Sequence, residues 1–429
     1  MSRKKFIEDK LKVINAKVGD KILVETKTMK KEGILMPHHQ FSDGDVITIK
    51  LDNGYNIGLA ADKNTKITLL EKQKDSAKGP KEIPFDKNKS TVSIIGTGGT
   101  IACYVEYRTG AVHPASSAKE LAFSVPEIFD ICNVNAQVAF QIFSEDIEIS
   151  HWQELAKKVA KELNNGANGV VIPHGTDTLG YTAAALSFML KNLSGPVVLV
   201  GAQRSSDRPS SDAAQNLIAA ITVASKSDIG EVVATMHSGT SDTVTTIHRG
   251  TKVRKFHTSR RDAFKTVNDI PLGTVENGEI KINEKYRKKT SGKVTADDKM
   301  EEDVAMIYSH PGLKPEDIPK KKGIVLIGTG LGHIPQKVIP RIKELSKQGT
   351  IFVMTSQCIF GRINMSVYSK GRDLLKSEVI PCEDMLPETA FVKLIWALAH
   401  GKNKEEVEKI MKTNIAGEIS DRTRSDAFL

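Results

Sequence analysis

Gly169-Val170-Val171-Ile172-Pro173-His174-Gly175-Thr176-Asp177-Thr178-Leu179 decides the fold. Its first five residues are an apolar run with the length of a buried strand, and the polar His-Gly-Thr-Asp-Thr that follows is turn chemistry. Roughly 75 residues earlier the same order occurs as Val92-Ser93-Ile94-Ile95 and then Gly96-Thr97-Gly98-Gly99-Thr100. Open α/β sheets place ligands in the crevice outside the carboxyl ends of their strands. Two strand-to-turn junctions that each end in a threonine predict one site carrying two hydroxyls.

Working outward, residues 91 to 272 alternate strand and helix. Strands are expected at 91–95, 137–142, 169–173, 196–201 and 231–236, with helices at about 150–165, 178–193 and 211–226 between them. That alternation calls for a mostly parallel sheet covered on both faces. A connecting segment is expected at 273–320, with a hairpin over Val275-Glu276-Asn277-Gly278-Glu279-Ile280. A smaller α/β domain follows at 321–429, with strands 323–327, 350–355 and 378–380 and helices 335–348, 371–376, 387–399 and 403–412. Ahead of these, residues 1–72 read as a small β-barrel-like module of about five short strands. Asp52-Asn53-Gly54 makes one of its hairpin turns, because Asn-Gly tolerates positive φ. Residues 73–90, rich in Lys, Asp, Ser, Gly and Pro, read as a linker.

Composition limits the function classes. No apolar stretch approaches the ~18–20 residues of a membrane span, and the start, Met1 to Lys10, lacks the apolar core of a signal peptide, so a cytoplasmic protein is expected. Cys103, Cys132, Cys358 and Cys382 are scattered singly, as free thiols in a reducing compartment would be. Among the 11 histidines His38-His39 is the close pair, and adjacent residues rarely converge on one ion, so no metal is expected. The formal charge is +9. Excess Lys and Arg attract polyanions and suit an RNA partner, but the surplus is diffuse, densest at Lys285–Lys289, Lys320–Lys322 and Lys252–Arg261. A lysine-rich proteome or a warm habitat accounts for such usage at least as often.

Gly96-x-Gly98-x-x-Ile101-Ala102 has the outline of a dinucleotide fingerprint. That motif needs a helix to open directly after the glycines, whereas Arg108-Thr109-Gly110-Ala111-Val112-His113-Pro114 is loop chemistry and no acidic residue ends a following strand. The glycines instead let the backbone approach a small ligand. Thr176 and Asp177 are both good N-cap residues for the next helix. Capping employs one of them and leaves the His-Gly before them unexplained. A threonine is a weak nucleophile until a base removes its proton. A lysine in that role must fall from about 10.4 by roughly three units, about 4 kcal/mol of environment. Spacing alone does not choose among the lysines.

Ile94-Ile95-Gly96-Thr97-Gly98-Gly99-Thr100-Ile101-Ala102 and His174-Gly175-Thr176-Asp177-Thr178-Leu179, with Val200-Gly201-Ala202-Gln203-Arg204 and Ser211-Asp212-Ala213-Ala214-Gln215-Asn216-Leu217, resemble the type I/II L-asparaginase superfamily from about residue 90 to the end. Within it the chain is similar to the D-subunit family of archaeal glutamyl-tRNA(Gln) amidotransferases. Gly33-Ile34-Leu35-Met36-Pro37 and Leu51-Asp52-Asn53-Gly54-Tyr55-Asn56-Ile57-Gly58 resemble that family's N-terminal module. Tyr107 to Pro114 and Gly328-Thr329-Gly330-Leu331-Gly332-His333 resemble its body. The resemblance implies an asparaginase-like two-domain α/β body. It implies catalytic roles for Thr100, Thr176, Asp177 and Lys252, and substrate binding by Ser144, Glu145, Gly99, Gly175 and Tyr107. Glu145 stands where free asparaginases carry Gln. Tyr104 and Tyr107 both match the mobile-lid tyrosine.

The implied reaction is amide hydrolysis at glutamine or asparagine through a threonine acyl-enzyme, with oxyanion stabilisation by N–H groups around Gly98–Thr100 or Gly175. Ammonia would pass to an E-type partner subunit that converts Glu-tRNA(Gln) to Gln-tRNA(Gln). No cofactor is expected in this chain, ATP and Mg²⁺ belonging to that partner because no Walker-type loop is present. A homodimeric core giving a heterotetramer is implied, with Tyr368 and His333 completing a neighbour's site. The competing readings are a free-standing L-asparaginase and a non-catalytic tRNA-binding scaffold.

Overall fold

Along Lys21–Glu25 and Val46–Lys50 buried and half-buried side chains alternate, the pattern of a sheet with one covered face. The computed structural model describes residues 3–36, 46–51, 56–72, 83–98, 103–105, 112–114, 122–123, 125–204, 211–241, 243–283 and 285–428. A helix, α1 (Arg3–Val13), precedes five strands: β1 (Lys21–Glu25), β2 (Lys30–Leu35), β3 (Val46–Lys50), β4 (Asn56–Ala60) and β5 (Lys66–Glu71). They pair antiparallel in the order β4-β3-β2-β1-β5 around Ile7, Ile22, Val24, Ile47, Ile49 and Leu59. Among the described residues β4 and β5 do not pair, so the module is an open antiparallel sheet and not the expected barrel. The helix α1 was not expected. Its buried Ile7 and half-buried Leu11 share a face at i, i+4, a short apolar stripe among many lysines. The Asp52-Asn53-Gly54 turn lies outside the described residues, although β3 and β4 on either side pair from Val46↔Ala60 to Lys50↔Asn56.

The body holds an eight-stranded sheet. Its strands begin with β6 (Thr91–Gly96), β7 (Asn133–Val138), β8 (Gly169–Pro173), β9 (Val197–Val200), β10 (Val232–His237) and β11 (Val244–Arg249). A separate two-stranded ribbon, β12 (Val253–Lys255) and β13 (Phe264–Thr266), interrupts the series before β14 (Gly273–Glu276) and β15 (Glu279–Ile282) return to it. The order is β15-β14-β11-β10-β9-β8-β6-β7, parallel from β10 to β7 and antiparallel from β10 to β15. The strand expected at 137–142 lies four residues earlier. Asn133 fixes its start by donating to the carbonyls of Asp86 and Lys89 and accepting from the Asp86 N–H.

Helices α2 (Ile149–Asn164) and α3 (Leu179–Met189) cover one face, and α4 (Ala213–Lys226) covers the other. The stretch 273–320, expected as a connection, gives strands to both sheets, because β16 (Val304–Tyr308) opens the C-terminal one. Parallel strands β17 (Gly323–Gly328), β18 (Ile351–Ser356) and β19 (Ile380–Pro381) follow in order. Helices α5 (Ile339–Lys347), α6 (Ser369–Lys376), α7 (Pro387–His400) and α8 (Lys404–Lys412) complete this unit. Trp396 of α7 stacks on Phe188 of α3 with centroids 6.3 Å apart, so the first core continues into the C-terminal unit. Burying one such ring contributes ~1.5–3 kcal/mol. Cys132 and Cys382 are buried free thiols and Cys358 is an exposed one. No helix among the described residues is long and apolar enough to cross a membrane.

Candidate active site

Strands β6 and β8 are parallel neighbours, so the two Gly/Thr turns leave the sheet side by side. Thr97 ties them together, its hydroxyl donating to the Pro173 carbonyl at 2.8 Å. Gly98 has φ +99°, and a Cβ there would lie 2.5 Å from the Ile142 carbonyl oxygen. This close approach, open to glycine, brings the first turn against the segment leading to Ser144. Gly99, Thr100 and Tyr107 lie outside the described residues, and of Tyr104 the backbone strand Cys103–Val105 alone is described. That strand pairs with Val112–Pro114, so the chain described next after the first turn is a β ribbon and not a nucleotide-type helix.

The second turn is set by three contacts. A Cβ on Gly175 would sit 2.6 Å from Ser144 Cβ and 2.8 Å from its Oγ, which places Ser144 directly on this glycine. Thr178 donates its hydroxyl to the Ser144 carbonyl at 2.6 Å. Gly201 clears room for Thr176, whose Cγ2 would lie 2.7 Å from a Cβ there. Buried Asp212 holds the Gly201 turn by accepting from the N–H groups of Gln203 and Arg204. Neither Thr176 nor Asp177 caps the following helix: the cap position is Thr178. Their side chains are therefore available for something else.

Behind the turn His174 is fully buried. Its Nδ1 faces the Gly175 carbonyl at 2.7 Å and must donate there, which leaves Nε2 of the neutral ring to accept from the Thr182 hydroxyl at 2.8 Å, while Trp152 Nε1–H donates to Thr182 Oγ1 at 3.0 Å. Burial pushes this imidazole down to about 4, so it is neutral near pH 7 and serves as a fixed donor to the turn.

Lys255, the last residue of β12, reaches this turn. Its Nζ donates to Thr176 Oγ1 and to Asp177 Oδ1, both at 2.8 Å. Lys252, the expected catalytic lysine, is not there. It is fully buried, donating to Asp384 Oδ2 at 2.7 Å and Ser420 Oγ at 3.1 Å. The physical reason is local geometry: Lys252 sits in the turn before β12, its N–H bonded to the Arg249 carbonyl, and its side chain leaves toward Asp384, away from the side that Lys255 takes. Val253 offered the signal that sequence reading missed. It is an apolar core residue on the same side as Lys255, packed in the cluster that holds Leu179 at the start of α3.

Glu145 is exposed beside buried Ser144 on a single 3₁₀ turn, Ser144–Asp146. The site therefore joins Thr176, Asp177, Lys255, Gly175 and Ser144: a hydroxyl, an ammonium and a carboxylate in hydrogen-bonded series. Such a series can carry a proton to and from a hydroxyl. No group of three or more His, Cys, Asp or Glu among the described residues could hold a metal ion. Several of the basic stretches are already ion-paired, Lys288 to Asp228, Lys321 to Asp303, Lys322 to Glu301 and Arg260 to Asp262. His333 and exposed Tyr368 pack edge to face, 5.3 Å between centroids, in the C-terminal unit.

Comparison with known proteins agrees with this fold. Residues 91–288 match the family model for asparaginase, N-terminal, and residues 303–411 match the glutaminase/asparaginase C-terminal domain. The L-asparaginase of Thermococcus kodakarensis superposes with a TM-score of 0.70 at 32% identity, over 77% of this chain and 100% of that one. L-asparaginase I of Vibrio cholerae gives 0.67 at 29% identity, over 77% of this chain and 99% of that one. Fold and site together define an asparaginase-type α/β protein. Residues 16–70 match the GatD N-terminal domain. The glutamyl-tRNA(Gln) amidotransferase D-subunit from Pyrococcus furiosus is 52% identical over 99% of both chains, and that from Saccharolobus islandicus is 45% identical over 98% of this chain and 96% of its own. The chain belongs to the D-subunit family of glutamyl-tRNA(Gln) amidotransferases.

Proposed function

We propose that this chain is the glutaminase subunit of a tRNA-dependent amidotransferase. It releases ammonia from the side-chain amide of glutamine, with asparagine as a second substrate, for a partner subunit that converts Glu-tRNA(Gln) to Gln-tRNA(Gln). The observation that carries the reading is Lys255 Nζ within 2.8 Å of both Thr176 Oγ1 and Asp177 Oδ1. A threonine oxygen forms a bond to the amide carbon, the C–N bond breaks, and nitrogen leaves as ammonia with a proton delivered through the site. Water then breaks the acyl ester, giving glutamate and the free hydroxyl. Lys255 in its neutral form takes the Thr176 proton and returns it, and Asp177 steadies the ammonium formed. Thr100 supplies the second hydroxyl, and Ser144, Glu145, Gly99, Gly175 and Tyr107 bind the substrate. N–H groups at Gly98–Thr100 or Gly175 steady the oxyanion.

The N-terminal module, whose residues 16–70 match the GatD N-terminal domain, favours the ammonia donor over a free-standing enzyme. The partner is an E-type subunit that binds ATP and Mg²⁺. Two copies of this chain form the core of a heterotetramer, His333 and Tyr368 lying toward the neighbouring copy. Lys255→Met and Thr176→Ala, assayed for ammonia release from glutamine in complex with the partner, should each lose about 10²–10⁴ in kcat while remaining folded. Near-normal kcat in folded Lys255→Met would overturn the reading. Full glutaminase activity of the isolated chain, unchanged by partner and Glu-tRNA(Gln), would favour the free amidohydrolase.

A further inference from the structure

Around Lys255 the chain is bonded at every step. Val253 and Lys255 face α3 and the Gly175–Asp177 turn, whereas Lys252 and Arg254 face the segment that opens α7. Lys252 pairs with Asp384, and Arg254 Nε lies 3.3 Å from Glu388 Oε1, four residues further along that segment. Thr389 Oγ1 donates to the Thr251 carbonyl at 2.8 Å, and Thr251 Oγ1 donates to the Ala416 carbonyl at 3.0 Å.

The Asp384 carboxylate is itself fixed. Its Oδ1 accepts from Ser420 N–H at 3.0 Å, and Ser420 Oγ, which accepts from Lys252, donates to the Asn268 carbonyl at 3.2 Å. Asn268 Nδ2 in turn donates to the Asp384 carbonyl at 2.9 Å. The Lys252 side chain is 0% exposed and that of Asp384 5%. An ion pair buried this deeply is a poor source of net stability, because desolvation offsets its attraction. Its directionality is what such a pair offers, and here it is spent three residues from the lysine of the site.

We propose that Lys252 and Asp384, with Arg254 and Glu388 beside them, form a positioning clamp that fixes β12 against the start of α7 and so holds Lys255 Nζ on Thr176 and Asp177. The site on the large sheet then depends on the C-terminal unit of the same chain. Lys252, Asp384, Arg254 and Glu388 act through Lys255 and touch no substrate. The inference rests on the reading of Lys255 given above.

Lys252→Met/Asp384→Asn removes both charges together and leaves no lone charge buried. In the full chain with its partner subunit, kcat for ammonia release should fall about 10- to 100-fold while KM stays within about twofold, the signature of a misplaced proton-transfer group. Arg254→Met/Glu388→Gln should show the same split at smaller size. If the first variant gives no soluble protein, Ser420→Ala, which removes one hydroxyl and no charge, should still lower kcat several-fold. Unchanged kcat in the soluble variants overturns the clamp. So does a fall in kcat accompanied by a raised KM and a lowered melting temperature, which marks general loosening. Lys255→Met run in parallel separates the two ideas: an active Lys255→Met overturns the site reading, whereas an inactive one beside fully active clamp variants overturns the clamp alone.

Discussion

Gly175 is a glycine because Ser144 occupies the space its side chain would take. An added Cβ would meet Ser144 Cβ at 2.6 Å and Oγ at 2.8 Å, so Gly175→Ala must push out a buried serine whose carbonyl also holds Thr178. Overpacking of this size costs about 1–3 kcal/mol. The same shift misplaces the residue proposed to bind substrate, so kcat/KM for glutamine should fall about 100-fold in a chain that still folds. Steady-state kinetics beside a thermal melt check this, and wild-type kcat/KM in the variant would refute it. At this scale the turn carrying Gly175, Thr176 and Asp177 was legible, because a Gly-Thr turn after a buried strand has few other uses, whereas Ser144 came from the family resemblance alone. The lysine was not legible. Lys252 and Lys255 lie on one short basic run, and which of them meets Thr176 depends on the phase of a three-residue strand that only its pairing with Phe264–Thr266 sets.

Two buried histidines give the elements a pH dependence. His174 directly follows β8, and His248 lies on β11 with Nδ1 2.8 Å from Thr266 Oγ1 of β13. Burial lowers them from 6.5 to about 4 and about 3, so the folded chain keeps both neutral where the unfolded chain is protonated. The sign follows: the unfolded state binds more protons below about pH 6.5, so stability falls as pH drops from there toward 4 and 3. By pH 5 each histidine accounts for about 2 kcal/mol. Urea midpoints at pH 7 and pH 5 measure the loss, and His248→Asn should make it shallower. Equal midpoints in the unaltered chain would sink this account. The parallel strands β6, β8, β9, β17 and β18 were legible because continuous apolar runs mark strands covered on both faces. β11 was not, since Val244-Thr245-Thr246-Ile247-His248-Arg249 carries too few apolar residues to announce a buried strand. The barrel expected at the N-terminus failed for a related reason: periodicity shows that strands exist and leaves unsaid whether the first and last edges meet.

At the scale of the whole molecule, the polar tail after α8 adds to the α3–α7 packing that joins the two α/β units, and it has no periodicity for a sequence reading to find. It lies across both. Ala416 accepts from Thr251, Ser420 meets Lys252 and Asp384, and Glu418 is buried against Lys393 of α7 at 2.6 Å. Lys393 Nζ also donates to the carbonyls of Met411 at 2.9 Å and Thr413 at 2.6 Å, while Glu418 accepts from the N–H groups of Ile415 and Ala416. Both side chains are 0% exposed. Burial pushes the Lys393 ammonium below the usual lysine range, and Glu418 opposes that shift. Glu418→Gln keeps an acceptor for the tail N–H groups but leaves that ammonium with carbonyl dipoles alone. Removing one partner of a buried pair costs about 3–5 kcal/mol, whereas replacing both is close to neutral. Glu418→Gln should therefore lower the denaturant midpoint markedly, and Lys393→Met/Glu418→Gln should recover most of it. The tail also supports Thr251 and Lys252, so the single variant should lose glutaminase activity at temperatures where its far-UV signal is still native. A single variant as stable and as active as the unaltered chain would mean that the tail lies on the molecule without holding it together.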